Sequence, residues 1–214
     1  MSEFKDYYDQ AHIVYGMSKM RKDKIVRTLG VVSGLRILDI GCGVGSLGAL
    51  LKTGGNYVAG IDMSKVSVES AKKVLDFADV GDVQNGPLPF KDGSFDVVIL
   101  TEVIEHLLFP ERALREIYRL LKPGGFMILT TPNFLVWTNR IKMMFGKFAY
   151  TETGFFDRGH VHFYTLQMLV KDLTGAGFVI AETNHIMHPK IPDFIGSMWP
   201  SLFAFQFVVK ALKK

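Results

Sequence analysis

Leu38-Asp39-Ile40-Gly41-Cys42-Gly43-Val44-Gly45 is the stretch on which the fold turns. A short, mostly apolar run from Arg36 to Ile40 stops abruptly at a glycine cluster, the pattern of a buried strand feeding a tight turn. Glycines at such a turn let the backbone bend sharply and let a ligand approach it closely. A helix from Ser46 to Lys52 fits the residues that follow. Tyr57 to Ile61 reads as a second strand, and Asp62 stands at its end, 21 residues after Gly41. A carboxylate in that position can accept both ribose hydroxyls of an adenosine.

Outward from this core the chain alternates. Ser64 to Leu75 suits a helix with Ser64 as N-cap, and Val80 to Val83 a third strand. Phe95 to Leu100 (FDVVIL) is apolar enough for a strand buried on both faces. Pro110 to Leu121 reads as a helix, with Lys122-Pro123-Gly124-Gly125 stopping it. Phe126 to Thr130 is a fifth strand, and Thr165 to Gly175 a helix capped by Thr165. Phe178 to Thr183 and Phe203 to Val209 form a final strand pair. Ahead of all this, residues 1–30 suggest one or two lead-in helices ending at Gly30, with Ile13, Met17, Met20, Ile25 and Leu29 on one face. Strands alternating with helices imply an α/β fold with a largely parallel sheet. At 214 residues, one domain is expected, with residues 131–164 as a long insertion of the kind that forms lids and binding segments.

Which ligand suits the glycine loop is decided by Asp39. A pyrophosphate wants backbone N–H groups and a helix N-terminus, and a carboxylate two residues before the first glycine would repel it. An ammonium and a sulfonium are suited by the same carboxylate. Asp82, in Gly81-Asp82-Val83, can accept an adenine amino group, with the Val83 N–H bonding the ring. Read plainly, Asp82 is a turn residue. Glu102 and Val103 follow the fourth strand, at the end of an open α/β sheet where ligands bind.

With LDIGCGVG, GIDMS, GD…LPFKDGSFDVVILTEVIEHL and LKPGGFMILTTPN in place, the chain resembles the class I S-adenosylmethionine-dependent methyltransferases over about residues 35–185. The resemblance implies a Rossmann-like doubly wound sheet of seven strands in the order 3-2-1-4-5-7-6, strand 7 antiparallel. It implies S-adenosylmethionine as cofactor, contacted by Asp39, Gly41, Cys42, Gly43, Gly45, Asp62, Met63, Asp82, Val83 and Glu102. Glu-x-x-Glu-His at 102–106, with His160 just ahead of a helix start, looks like the metal site of two methyltransferase groups. These are the small-RNA 2′-O-methyltransferases and the ubiquinone-pathway O-methyltransferases. By that match Glu102, Glu105, His106 and His160 would hold Mg²⁺, Mn²⁺ or Zn²⁺, and the ion would lower an acceptor hydroxyl's pKa. The plainer reading makes His106 a packing or capping residue, because a Glu-His pair in this position occurs widely without a metal. His160 is then the general base, within a catalytic set of His160, Glu105 and His106. His162 reads as structural.

Composition bounds the setting. The lone cysteine, Cys42, forbids an intramolecular disulfide and fits a reducing, cytoplasmic compartment. The N-terminus is polar and lacks the apolar core of a signal peptide. The net charge of +4 gathers partly in 134–149, where Arg140, Lys142 and Lys147 interleave with aromatics and methionines and no acid appears. That stretch reads as a lid over the acceptor, as an interfacial helix on the inner face of a membrane, or as an ordinary packed helix with snorkelling bases. The stretch from Thr131 to Thr165 is also similar to methyltransferases that accompany polysaccharide pathways. The expected activity is O-methylation of a small, glycan-linked or lipid-linked acceptor. The alternatives are an RNA methyltransferase, which the lack of a dense basic stripe disfavours, and a cofactor-binding protein without turnover.

Overall fold

The computed structural model describes residues 17–151, 154–187 and 191–214. The lead-in residues before Met17 lie outside these. Helix α1 (Lys19–Leu29) starts at Ser18, whose side-chain oxygen accepts from the Arg21 N–H, and ends at Gly30. Then follow β1 (Arg36–Ile40), α2 (Ser46–Lys52), β2 (Tyr57–Asp62), α3 (Lys65–Ala71), β3 (Phe77–Val80) and β4 (Phe95–Thr101). A single 3-10 turn, Ile104–His106, leads to α4 (Pro110–Leu120), β5 (Leu121–Pro132) and α5 (Trp137–Met144). The chain closes with α6 (Leu166–Gly175), β6 (Phe178–Met187), α7 (Asp193–Met198), α8 (Pro200–Phe203) and β7 (Ala204–Lys213). None of the described helices is long and apolar enough to cross a membrane.

All seven strands lie in one sheet of order β3-β2-β1-β4-β5-β7-β6, with β7 antiparallel to both neighbours, as the motifs imply. The strand order reverses beside β1, so the carboxyl ends of β1, β2 and β4 open a crevice there. Side-chain alternation feeds two cores. Leu38, Val98 and Leu100 pack on one face of the sheet with Ile117 of α4, while Ile37, Val97 and Ile99 pack on the other with Ile25 of α1. Each of these is fully buried, which stabilises the fold by about 1.5–3 kcal/mol per side chain.

Several boundaries differ from the sequence reading, each for a local reason. The second crossover helix, α3, stops at Ala71 rather than Leu75, because the next turns bring Asp76 under β2, where it accepts the Val58 N–H and pairs with Lys52. The third strand therefore begins earlier, at Phe77, and ends at Val80, with Asp82 in the turn beyond it. The last two strands run past their expected ends, because each pairs along nearly its whole length. The expected helix stop at Lys122-Pro123-Gly124-Gly125 becomes an irregular opening to β5, where the pairing register with β4 shifts.

Gly41 has φ 75°, and a Cβ there would lie 2.3 Å from Cγ2 of Val103. Gly41→Ala should therefore cost about 1–3 kcal/mol in urea unfolding, from backbone strain plus displacement of Val103. An unchanged midpoint would contradict this close approach.

Candidate functional site

Two clusters stand at the carboxyl edge of the sheet. The first is built on the loop after β1. The N–H groups of Gly41 and Cys42 both donate to the Ile61 carbonyl, fastening the loop to the end of β2. Asp62 is buried, and its two oxygens accept from the Gly43 N–H and the Ser64 N–H, each at 2.8 Å. Ser64 in turn caps α3 by accepting from the Ser67 N–H. One carboxylate thus sets both the glycine loop and the start of a helix, with Met63 between its two anchoring points. Cys42 packs against bare backbone, since a Cβ at Gly60 would meet its Sγ at 2.7 Å. Burial first, then the charges of Asp39 and Asp62, push the Cys42 thiol far up, so it is no nucleophile. Its role is that of a small apolar filler.

Asp39 sits at the floor of this loop, almost wholly buried, and its Oδ1 has no hydrogen-bond partner. Burial, with the Asp62 charge second, pushes its carboxyl up to about 7. A buried acceptor without a donor is costly and marks a site that a ligand completes. A Cβ at Gly43 would meet nothing within 4 Å, so the loop borders open space. Buried carboxylate and open backbone together fit a ligand with an ammonium group. Asp82 lies in its own turn, with Oδ1 accepting from the Gln84 N–H and Oδ2 from the Asn85 amide. Its plainer reading as a turn residue describes these bonds fully. The side chain of Val83 is in the core.

The second cluster follows β4. Glu102 is the one non-glycine among the described residues with positive φ, 53°, a backbone state that surrounding bonds must enforce. They do: its N–H donates to the Thr130 carbonyl, Oε1 accepts from the Thr130 hydroxyl, and Oε2 accepts from the Gln206 amide at 2.7 Å. Arg21 of α1 pairs with the same Oε2 at 3.3 Å and bonds Gln206 through Nε. Glu105 is buried. Its Oε2 accepts from the Thr131 hydroxyl, while Oε1 has no partner. Burial, then the Glu102 charge, holds its carboxyl well above the usual range. The Glu105 carbonyl accepts from the Val161 and His162 N–H groups, which stitches the insertion to the 3-10 turn.

That stitch brings His160 beside His106, the rings 4.6 Å apart between centroids. His106 Nδ1 lies 3.0 Å from the Gly159 carbonyl and His160 Nδ1 lies 3.2 Å from the Phe155 carbonyl. A carbonyl can only accept, so each Nδ1 carries a proton, and in the neutral imidazole the lone pair is then on Nε2. One ligand atom each from Glu105, His106 and His160 falls within 4.8 Å of the others. Orphaned carboxylate oxygen, paired imidazoles and carbonyl partners behind them fit a divalent metal. Glu102, the fourth expected ligand, is engaged by Arg21, Thr130 and Gln206 instead. A cavity of about 460 Å³ opens over this cluster, lined by Arg21, Glu102, Glu105, His160, Phe155 and Phe205 among others. Phe155 and Phe205 stack at 5.2 Å, 9° from parallel. His162 does not line this cavity, and its ring lies 6.1 Å from that of Tyr164.

Sequence reasoning missed Arg21, Thr130, Thr131 and Gln206. Gln206 carried a readable signal, being the lone polar residue in the apolar run Phe203–Val209. Arg21 did not stand out among the other bases of the lead-in segment.

Residues 38–129 match the methyltransferase domain family model. The ubiquinone biosynthesis O-methyltransferase of Alkalilimnicola ehrlichii is 34% identical over 137 residues, which is 62% of this chain and 56% of that protein. The demethylmenaquinone methyltransferase of Clavibacter sepedonicus is 30% identical over 132 residues, 59% of this chain and 54% of that one. The chain spans about half the length of the curated relatives it matches. An S-adenosylmethionine-dependent methyltransferase structure from Archaeoglobus fulgidus superposes with TM-score 0.72 at 19% identity, covering 97% of this chain and 99% of its own.

Asp39 sets a pH dependence of stability. Its carboxyl rises from 3.8 to about 7 on folding, so its protonation favours the fold fully below 3.8, and that contribution is lost as pH climbs towards 7. Asp39→Asn should remove this loss. By urea unfolding at pH 8 without ligand, the variant should exceed the parent by up to about 4 kcal/mol, narrowing to about 1.5 kcal/mol at pH 5 and to little below pH 4. A constant difference between the two proteins across this range would refute the assignment.

Proposed function

The chain has the fold of the class I S-adenosylmethionine-dependent methyltransferases and is related to the ubiquinone-pathway O-methyltransferases, and on that premise we propose that it methylates a hydroxyl of a small acceptor. The observation that carries the reading is the unpartnered, buried Oδ1 of Asp39 beneath an open glycine loop. Bound S-adenosylmethionine supplies a methyl group already activated by its sulfonium charge. Asp39 answers its ammonium, and Asp62 holds the loop against which the adenosine lies. The 460 Å³ cavity suits a small molecule or the head of a larger one, and its aromatic wall suits an apolar body.

Within the cavity, the chain's tasks are to orient the acceptor and to take a proton from its hydroxyl. His160 suits the second task. Its Nδ1–H is held by the Phe155 carbonyl, so Nε2 is the basic atom, and the residue lines the cavity wall. Burial and the Glu102 charge hold the Glu105 carboxyl well above the usual range, so in its protonated form it can donate from its unpartnered oxygen to an acceptor oxygen. Arg21 balances Glu102, so the wall is not left with two uncompensated carboxylates. A divalent ion held by Glu105, His106 and His160 would act as a Lewis acid towards the acceptor oxygen.

Two measurements test the reading. S-adenosylhomocysteine keeps the ammonium group, so its affinity by calorimetry should rise as Asp39 ionises through about pH 7 and stay flat in Asp39→Asn. Absence of any binding by the parent protein would sink the proposal. His160→Ala should slow transfer of labelled methyl by about 10²–10⁴-fold while leaving S-adenosylhomocysteine affinity within about twofold. Full turnover by the variant would remove His160 from the mechanism. Full turnover by chelated, metal-free enzyme would remove the ion.

A further inference from the structure

Asp157 lies three residues before His160, where the insertion turns back towards Glu105. Its Oδ1 accepts from the Gly159 N–H at 2.7 Å. Its carbonyl accepts from the His160 N–H at 3.1 Å, and its own N–H donates to the Gly154 carbonyl. A bridge to Thr151, with the Thr151 N–H donating to the Phe156 carbonyl, ties this turn to the chain before it.

The two peptide groups that flank Gly159 are therefore both held by Asp157. The first is held through its N–H by the carboxylate. The second joins the Gly159 carbonyl to the His160 N–H, and Asp157 holds it through its backbone oxygen. That same peptide group presents its carbonyl to Nδ1 of His106 at 3.0 Å. It thus touches one imidazole and carries the other. The fit around it is close, since Gly159 is buried and a Cβ there would lie 3.1 Å from both Asp157 Oδ1 and His106 Nδ1.

We propose that Asp157 is a positioning residue that sets His106 and His160 beside Glu105 together. The inference rests on the reading of that cluster as the wall that meets the acceptor oxygen. A carbonyl behind an imidazole fixes its tautomer and ring orientation, and holds the ring only as firmly as the carbonyl is itself held. Without the Asp157 carboxylate the Gly159 N–H loses its acceptor, and the peptide group behind His106 is free to rotate. Asp157 is half-buried and belongs to neither apolar core, so its truncation leaves the packing of the sheet in place.

The test reads the ring nitrogens. Long-range nitrogen–proton spectra of the whole chain with isotope-labelled histidine, taken at alkaline pH, distinguish the two tautomers. The parent should show a proton on Nδ1 of both His106 and His160. Asp157→Ala should turn the His106 signal into a mixture of tautomers, and Asp157→Asn, which keeps an acceptor oxygen in the same place, should restore it. His185, on β6, should be unchanged throughout. Calorimetry with Zn²⁺ alone should show binding weakened about 10–100-fold in Asp157→Ala and recovered in Asp157→Asn. S-adenosylhomocysteine affinity should be the parent's in both variants. Parental ring spectra in Asp157→Ala overturn the proposal, and so does an Asp157→Asn that behaves as Asp157→Ala. Loss of the cofactor analogue along with the tautomer would make Asp157 a folding residue and overturn it too. Parent protein that fails to bind the analogue overturns the proposed activity, and parent protein that binds no Zn²⁺ removes the ion. In both cases the ring spectra still decide the role of Asp157.

Discussion

Both oxygens of Asp62 are held by backbone N–H groups, and the carboxyl edge of the sheet is arranged around those two bonds. They bring Gly43 inward and start α3, so the loop after β1 is curved before any ligand arrives. They also keep a negative charge close to Asp39, which has no donor for its Oδ1. The fold tolerates that unfavourable pair because the surrounding strands are packed into the two apolar cores. A ligand cation would relieve it. Preorganisation and instability are here the same arrangement viewed without and with its ligand.

A second tension lies after β4, with opposite bookkeeping. Glu102 is held in a left-handed backbone state, but its carboxylate is fully answered by Arg21, Thr130 and Gln206. Glu105, three residues on, takes the consequence. It is buried near that charge, and both hold its carboxyl well above the usual range. The two acids therefore differ in kind, one with both oxygens tied to three other elements and the other with an unpartnered oxygen beside a cavity. Their sequence spacing suggested equal roles as ligands. Their surroundings divide them.

What could be read from the residues follows from range. The strand alternation, the N-caps at Ser64 and Thr165, the glycine turn and the placement of Asp39 and Asp62 depend on neighbours along the chain, and the structure has them where they were expected. The strand after α3 was misplaced by three residues because Asp76, a side chain that accepts from β2, reset the end of the helix. The Arg21–Gln206–Glu102 network was not legible at all. Its bonds join residues 185 and 104 positions apart, and no local pattern encodes which base of α1 faces inward. The convergence of His106 and His160 was legible only as a resemblance. Its physical cause is the Glu105 carbonyl, which accepts two N–H groups from the insertion.

The antiparallel β7 has a consequence for synthesis. It is the last of these seven strands to be made, yet it lies between β5 and β6, so until it emerges β6 has no neighbour in the sheet. A nascent chain can complete the β3-β2-β1-β4-β5 half early, with the glycine loop and Asp62 in place. The second half must wait, with an unpaired edge on β5. Gln206 arrives with β7, and only then can Glu102 gain its third partner and Arg21 be steadied. The cofactor side can thus form on the growing chain, while the acceptor side is finished with its final strand.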